Sequence, residues 1–295
     1  MIGVPPPAQT PPSTAAEADW GTILPIAIVH LAPLGALWTG VTAVDLWLCA
    51  ALYIGRMFCV TAGYHRLLAH RAYRTHRPFR FLLLWGAVSS GQGGPLWWAG
   101  WHRHHHNHSD TNVDIHSPRV SFWQSHIGWL LTTRYGHTRT DLLPDLAQDK
   151  ELLWLNRWHW VPPLCMAALV WALFGLSALL IGVFLSTALL YHGTFFINSL
   201  AHCLGRQRYS THDDSRNSAL LAVITLGEGW HNNHHHRPSA CRQGVRWWEL
   251  DVTWMGLKIL SWMGLVWGLR EHKTQPAQSM DDLVTSKHSS TPHSP

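Results

Sequence analysis

Histidine is the residue type whose number and spacing could carry chemistry in this chain, at 23 of 295 residues. The most regular pattern is the spacing H-x-x-H-H, which occurs twice, at His102, His105 and His106 and again at His231, His234 and His235. Positions i, i+3 and i+4 lie on one face of a helix, so the three imidazoles of each box can point into one cavity. Imidazole binds zinc, copper, iron and nickel, so the pattern predicts metal binding without selecting the metal.

A further pair, His65 and His70, lies directly after an apolar stretch. Alone, such a pair could be a polar contact at a membrane surface, and one H-x-x-H-H box could be a solvated cluster. Together the three segments supply eight histidines, whereas a zinc ion takes three or four protein ligands. We therefore predict two metal ions that share one cavity. The zinc-protease spacing H-E-x-x-H is absent from the sequence, which argues against metal-dependent hydrolysis.

The elements that position these histidines are predicted to be membrane-spanning helices. Hydrophobic residues make up 47% of the sequence and charged residues only 13%, about half the share of a soluble domain. The 19 tryptophans suit the boundary between lipid and water, where this residue is enriched. The net charge of +5 comes without a run of Lys or Arg, so we interpret it as a basic face against an anionic leaflet and predict no nucleic-acid partner.

Two long apolar stretches each have room for two spans of about 20 residues. We predict four transmembrane helices in two hairpins, at about residues 23–40, 44–64, 158–174 and 176–199. Residues 79–90 and 247–269 are shorter or more amphipathic, and we predict that they lie in the membrane interface. The predicted fold class is an all-α integral membrane protein with a single domain, residues 23–271, between disordered tails at residues 1–22 and 272–295.

The distribution of the 22 Lys and Arg residues predicts the orientation in the membrane. They lie at Arg56, between the two predicted hairpins and after Ser199, whereas the hairpin turns carry none. By the positive-inside rule, the histidine segments and both termini of this multi-pass protein face the cytoplasm.

The order of the histidine boxes around two membrane hairpins resembles that of the membrane-bound fatty acid desaturases. The flanking residues are similar to those of the Δ9 type, notably Gly63-Tyr64-His65-Arg66-Leu67, Asp114-Ile115-His116-Ser117-Pro118 and Gly227-Glu228-Gly229-Trp230-His231. The likeness covers about residues 40–270 and is greatest to the bacterial acyl-lipid and acyl-CoA enzymes. It implies a bacterial inner-membrane protein.

This resemblance implies a non-haem centre of two Fe²⁺ ions with O₂ as co-substrate. It also singles out Asn198-Ser199-Leu200-Ala201-His202, in which His202 would be a ninth histidine ligand and Asn198 would bind through water. The implied ligands are His65, His70, His102, His105, His106, His202, His231, His234 and His235, with Asn198 through water. His104 and His236 fall outside the family's ligand positions.

Four further residues are candidates for supporting roles around these ligands. Asp110, Asp114 and Glu228 could accept imidazole N–H groups and fix the ring orientations, or they could cap helices instead. His116 could orient a ligand or bind the substrate head group.

The implied activity is insertion of a cis double bond, at Δ9, into a saturated fatty-acyl chain. For the carrier we place acyl-CoA, such as stearoyl- or palmitoyl-CoA, first and a phospholipid-linked chain close behind. Animal acyl-CoA enzymes have a basic residue two positions before the second box, where this chain has Gly100, and the departure weakens the CoA assignment. A narrow apolar tunnel should hold the chain, and helical phase before His65 suggests Tyr53 and Cys49 at its far end.

Electrons must come from an external donor. The sequence has neither a His-Pro-Gly-Gly haem motif nor a cysteine pattern for an iron–sulfur cluster. We therefore expect a separate ferredoxin or cytochrome b5-like protein with an NAD(P)H reductase. Two alternatives remain: a di-iron membrane hydroxylase of alkyl or sterol substrates, and a non-enzymatic metal transporter or sensor. The second fits less well, because transporters place their polar residues near the middle of the membrane.

Overall fold

The structure, a computed structural model, describes residues 17–271, and it is mostly helical. The parts of the predicted tails at residues 1–16 and 272–295 lie outside the described residues. The helices are, in order, α1 (Trp20–Thr39), α2 (Ala43–Ala69), α3 (Arg77–Val88), α4 (Pro95–His108), α5 (Phe122–His126), α6 (Lys150–Arg157), α7 (Val161–His202), α8 (Ala219–Ile224), α9 (His231–His236) and α10 (Val252–Trp262).

Within the described residues, three helices are long and apolar enough to cross a membrane: α1, α2 and α7. Helix α7 covers both of the last two predicted spans, but its backbone leaves the helical conformation at Gly175 (φ 84°, ψ −172°). Gly40, between α1 and α2, has nearly the same conformation (φ 73°, ψ −179°). Both angles lie where only glycine is unstrained. The helical backbone is therefore interrupted at the two glycine positions near which the hairpins were predicted to turn.

The charged residues inside the apolar helices have specific partners. Asp45 forms a capping box with Thr42 at the start of α2, and its other carboxylate oxygen accepts a hydrogen bond from Ser177 of α7. Arg56, further along α2, donates to the hydroxyl groups of Ser186 and Thr187 on α7. These contacts explain how two ionisable residues are tolerated in an apolar stretch, since buried polar groups are stable when they are hydrogen-bonded.

The end of α2 is not α-helical. Residues Val60–Ala69 form a π-helix, in which the amide of His70 donates to the carbonyl of His65, five residues earlier, at 3.1 Å. This segment is buried throughout and packs against α3 and α4 in the main apolar core. It therefore presents the first histidine pair from a rigid element.

Two sequence expectations need correction. The predicted tail was drawn too long, because residues 20–22 already belong to α1, whose first amides bond to the carbonyl of Asp19. Asp19 is in turn held by Leu131, so this stretch is tied to the loop after α5. The all-α prediction also missed a short antiparallel pair between Arg74–Thr75 and Val266–Trp267. A two-residue pairing has no periodic signal, and it fastens the segment after α10 to the chain that follows α2.

Candidate metal centre

Nine imidazoles converge at one end of the apolar helices. They form two neighbouring groups, one of His65, His70, His102, His106 and His234 and one of His105, His202, His231 and His235. Within each group the candidate ligand atoms all lie within 4.8 Å of one another. The groups adjoin, because the ring centroids of His106 and His235 are only 4.5 Å apart. These nine are the residues that the sequence analysis selected.

The π-helix explains how His65 and His70 reach the same group. In an α-helix, residues five apart are about 140° apart around the axis, given 3.6 residues per turn. The i to i+5 hydrogen bonding of a π-helix instead places residue i+5 roughly one turn along the axis from residue i, on the same side of the helix. The two rings consequently lie 4.7 Å apart between their centroids.

Each H-x-x-H-H box divides its histidines between the two groups. From α4, His102 and His106 join the first group and His105 joins the second. From α9, His234 joins the first group, and His231 and His235 join the second. The shared helical face of each box therefore spans two sites instead of facing one.

Four carboxylates contact the outer nitrogen, Nδ1, of four of the nine rings. The Nδ1 atoms of His65 and His202 lie 2.6 Å from Glu228 and 2.8 Å from Asp110, respectively. Asp114 lies 3.1 Å from Nδ1 of His105, and Asp213 lies 2.6 Å from Nδ1 of His235. A carboxylate at Nδ1 fixes the proton there and leaves Nε2 with its lone pair, the form that binds a metal.

The orientation of the rings fits bound cations. Nε2 of His65 lies 3.0 Å from Nε2 of His234, and Nε2 of His202 lies 3.1 Å from Nε2 of His231. Because the outer carboxylate keeps the proton on Nδ1 of His65 and of His202, the Nε2 atom of each of these rings carries a lone pair that can bind a cation placed between the paired rings. Burial, followed by neighbouring imidazoles, lowers the pKa of His231 and His234 well below the ordinary value. Both rings are therefore in the neutral form that can act as a ligand.

The carboxylates are themselves stabilised as anions. Burial alone would raise the pKa of Glu228, but His65, Arg66 and Gln243 lower it to about 2. In the same way, His202 and the amide of Asp214 outweigh burial at Asp110 and lower its pKa to about 2. Acceptance of imidazole protons thus describes the positions of Asp110, Asp114 and Glu228 better than helix capping does.

Arg66 links this carboxylate layer to the rest of the core. Its fully buried guanidinium forms ion pairs at 2.9 Å with both Glu228 and Asp251, and it also donates to the carbonyl of Cys241. Neither Arg66 nor Asp213 was predicted from the sequence to have a role at this site. Arg66 lies in a segment that carries the resemblance, whereas nothing in the sequence around Asp213 pointed to His235, 22 residues away.

The remaining predicted residues lie around the two groups. His116 is buried beside His105, with 4.3 Å between the ring centroids, and Asn198 lies in the wall of a neighbouring cavity. His104 contacts the carbonyl of Val113, and His236 stacks on Tyr209. Neither His104 nor His236 belongs to either group.

A cavity of about 930 Å³ begins at the histidines and extends between the apolar helices. Its wall at the histidine end includes His65, His102, His116, His231 and Asn198. Deeper in, the wall is made by apolar side chains from α2 and α7, namely Met57, Val60, Met166, Ala167, Val183 and Phe184. The size matches the range of small-molecule sites, about 300–1,000 Å³, and the lining suits a long apolar chain.

The described wall of this cavity includes neither Tyr53 nor Cys49, although both are near it in sequence. The Tyr53 hydroxyl donates to the carbonyl of Ile224 at 2.7 Å, which turns its ring toward α8. Met57, one turn further along α2, is the residue that lies in the wall. The helical phase of Tyr53 therefore predicted the helix that lines the cavity, α2, but Tyr53 lies on a neighbouring face of that helix.

A second cavity, which is polar and has a volume of about 730 Å³, borders the histidine groups through a different set of residues. It is lined by His70 and His106 of the first group and His235 of the second, together with Arg71 and Arg103. None of its lining residues belongs to the apolar cavity. The histidine groups therefore separate an apolar space from a polar one.

Apolar helices, paired histidine groups and a cavity with apolar walls are together the features of a membrane protein with a polyhistidine centre. The chain belongs to the fatty acid desaturase family, since residues 29–258 match the family model described as "Fatty acid desaturase". It is 35% identical over 262 residues to an "sn-1 stearoyl-lipid 9-desaturase" of Anabaena variabilis, covering 86% of this chain and 94% of the relative.

Two further relatives differ in the acyl carrier that their names state. An "sn-2 palmitoyl-lipid 9-desaturase" of Nostoc sp. (strain 36) is 37% identical over 211 residues, which cover 70% of this chain and 74% of the relative. An "Acyl-CoA C20 Delta5-desaturase" of Anemone leveillei is 35% identical over 225 residues, covering 75% and 72%. The relatives support a Δ9-type member of the family.

Proposed function

We propose that this protein is an O₂-dependent desaturase that introduces a cis double bond at Δ9 of a saturated acyl chain. The observation that carries the proposal is the placement of two histidine groups at the end of a 930 Å³ cavity with apolar walls. Acyl-CoA and glycerolipid-linked chains are both candidates at this level. The names of the cyanobacterial relatives support the Δ9 position and a lipid-linked chain.

The nine histidines would hold two Fe²⁺ ions, one in each group, with Asn198 contributing through water on the cavity side. Bound iron would supply, with O₂, the oxidising power that an unactivated C–H bond requires and that side chains lack. The protein residues do the rest. Glu228, Asp110, Asp114 and Asp213 orient the rings, and the apolar wall holds two adjacent methylenes next to the histidines.

The reaction balances with two electrons from outside. A –CH₂–CH₂– unit, O₂, two electrons and two protons give –CH=CH– and two waters. We propose that a ferredoxin or cytochrome b5-like donor, with its NAD(P)H reductase, supplies the electrons at the polar cavity. Arg71 supports this, because its side chain is 65% exposed there and can meet an acidic donor.

We further propose four membrane crossings, with α7 forming two of them around Gly175. Helix α7 has 42 residues, about twice the length of one span, and its backbone leaves the helical conformation at Gly175. The histidine end and both termini would face the cytoplasm of the bacterial inner membrane, because Lys and Arg concentrate on that side of the helices. Residues 79–90 and 247–269 would lie at this surface.

The proposal is tested by expressing the protein with an electron donor and analysing host lipids by gas chromatography and mass spectrometry. A new monoene with its double bond at carbon 9 supports the proposal, and a hydroxylated chain would assign the protein to the hydroxylases instead. Iron analysis of the purified protein should give about two ions per chain. A value near one would overturn the two-metal arrangement.

A further inference from the structure

We infer that the acyl donor is a membrane glycerolipid whose chain enters the cavity sideways from the lipid, and not acyl-CoA arriving from water. This inference rests on the proposed function and specifies its substrate class. Two observations support it: the position of the cavity opening and the charges of the residues that line the cavity.

The cavity opens on the lipid-facing side of the apolar helices. Ile28 of α1 and Leu164 of α7 both belong to the cavity wall, yet their side chains are 55% and 58% exposed. An apolar residue that lines a cavity and is also exposed marks the rim of an opening. We call the part of the cavity edge that these two residues mark the lateral mouth.

The depth of the lateral mouth matches one leaflet. Ile28 lies eight residues after the start of α1, which corresponds to about 12 Å along the helix. The hydrocarbon core of a bilayer is about 30 Å thick, so one leaflet accounts for about 15 Å. At the shallow end the cavity wall includes Trp160, a residue type that is enriched at the headgroup level. An ester at the surface and its chain in the leaflet would therefore both be in register with the mouth.

The charges around the cavity do not suit coenzyme A. Among the described residues, the cavity wall contains no Lys and no Arg, and its carboxylates are Asp19 and Glu228. Coenzyme A carries several phosphate charges, which are usually met by Arg or Lys. Asp19 lies at the shallow end, near the start of α1, and it would repel such phosphates.

Gly100 removes another possible phosphate contact. A Cβ at this position would lie 3.0 Å from the carbonyl oxygen of Arg139 and 3.1 Å from its Cβ. The loop that contains Arg139 therefore occupies the space in which a basic side chain at position 100 would begin. The Arg139 guanidinium is engaged with Asp141 at 2.7 Å and lies over the ring of Trp101.

A binding experiment tests the mouth without depending on turnover. The full-length protein is placed in dioleoylphosphatidylcholine vesicles that contain phosphatidylcholine with a photoreactive saturated acyl chain, and crosslinked peptides are mapped by mass spectrometry. We expect label on cavity residues such as Met57 and Val183, with competition by distearoylphosphatidylcholine. Stearoyl-CoA added at the same mole fraction should not compete.

Matched variants locate the path of the chain. Ile28→Trp with Leu164→Trp narrows the mouth and should lower cavity labelling by about tenfold, since a blocked route removes most of the binding. Leu24→Trp with Leu169→Trp changes equally exposed residues (55% and 59%) on the same helices outside the cavity wall and should leave labelling unchanged. Equal labelling in both double variants, or labelling that stearoyl-CoA displaces, would overturn the inference.

A turnover assay separates this inference from the proposed function. Iron-loaded protein receives labelled distearoylphosphatidylcholine in one reaction and labelled stearoyl-CoA in another, each with reductant. Desaturation of the lipid at a rate at least about tenfold above that of the CoA ester supports the inference. Desaturation of the CoA ester at an equal or higher rate overturns the inference and leaves the proposed function intact. If neither is desaturated, the proposed function fails.

Discussion

Replacement of Asp213 by asparagine should weaken metal binding in the second histidine group, formed by His105, His202, His231 and His235. Asp213 accepts from Nδ1 of His235 at 2.6 Å and also bonds to Thr211 and to the amide of Ser215. These three contacts outweigh burial and hold its pKa well below the ordinary value, so it is an anion at neutral pH. Asparagine keeps the shape and removes the charge.

The expected size of the effect follows from the geometry. An asparagine amide that faces Nδ1 of His235 with its N–H group favours a lone pair there, which moves the ring proton to Nε2, toward the other histidines. Loss of such an outer partner typically costs 10- to 100-fold in metal affinity, or about 1.4–2.7 kcal/mol. The first group keeps all of its ligands and its carboxylate, so we expect the iron content to fall from about two per chain toward about one.

The measurement is iron content after dialysis against a graded ferrous chelator, together with the thermal unfolding of metal-free protein. Asp214→Asn is the matched control, since Asp214 lies next in sequence and pairs with exposed Arg119 at 2.7 Å. Such a surface pair contributes less than about 1 kcal/mol. If Asp213→Asn retained iron as firmly as Asp214→Asn, Asp213 would not position His235 for metal binding.

Three other substitutions test the fold and the cavity. Gly175→Ala should destabilise the protein by about 1–3 kcal/mol in detergent unfolding, because φ is positive there, whereas Gly55→Ala, with equally open surroundings in a regular helix, should be neutral or stabilising. Arg66→Met should cost about 3–5 kcal/mol, since Glu228 and Asp251 lose their cation in a buried site, and a loss as small as that of the exposed Arg71→Met would contradict this account. Met57→Ala should shift the products toward longer acyl chains, because the smaller side chain enlarges the cavity. Tyr53→Phe should leave the chain lengths of the products, measured by gas chromatography, unchanged. A shift with Tyr53→Phe would return that residue to the end of the tunnel.

Spacing and composition predicted much of this centre because they depend on local geometry. The i, i+3, i+4 rule predicted a shared face for each H-x-x-H-H box, and apolar length predicted helices whose backbone is interrupted at Gly40 and Gly175. The rule could not reveal that His105 would part from His102 and His106. Which group a ring joins depends on how α4, α9 and the end of α7 pack, and that packing is tertiary.

Long-range polar partners were the least predictable part. Asp213 lies in an irregular loop, and only the folded chain brings it to His235. Arg66 reaches Asp251, 185 residues later, and no local pattern encodes such a pairing. The ordered stretch at residues 17–19 was equally hidden, because its backbone contacts with the segment around Leu131 and Thr132 link distant parts of the sequence.

The π-helical end of α2 makes the register of that segment part of the ligand geometry. Deleting one residue between His65 and His70 would shorten their spacing to i, i+4, which an ordinary α-helix places on one face. The pair could then stay aligned only if the segment became an ordinary α-helix. Adding one residue would instead rotate His70 away from its neighbours. A single insertion or deletion in these ten residues therefore tests whether the metal centre needs the five-residue spacing of His65 and His70. No side-chain substitution can change that spacing.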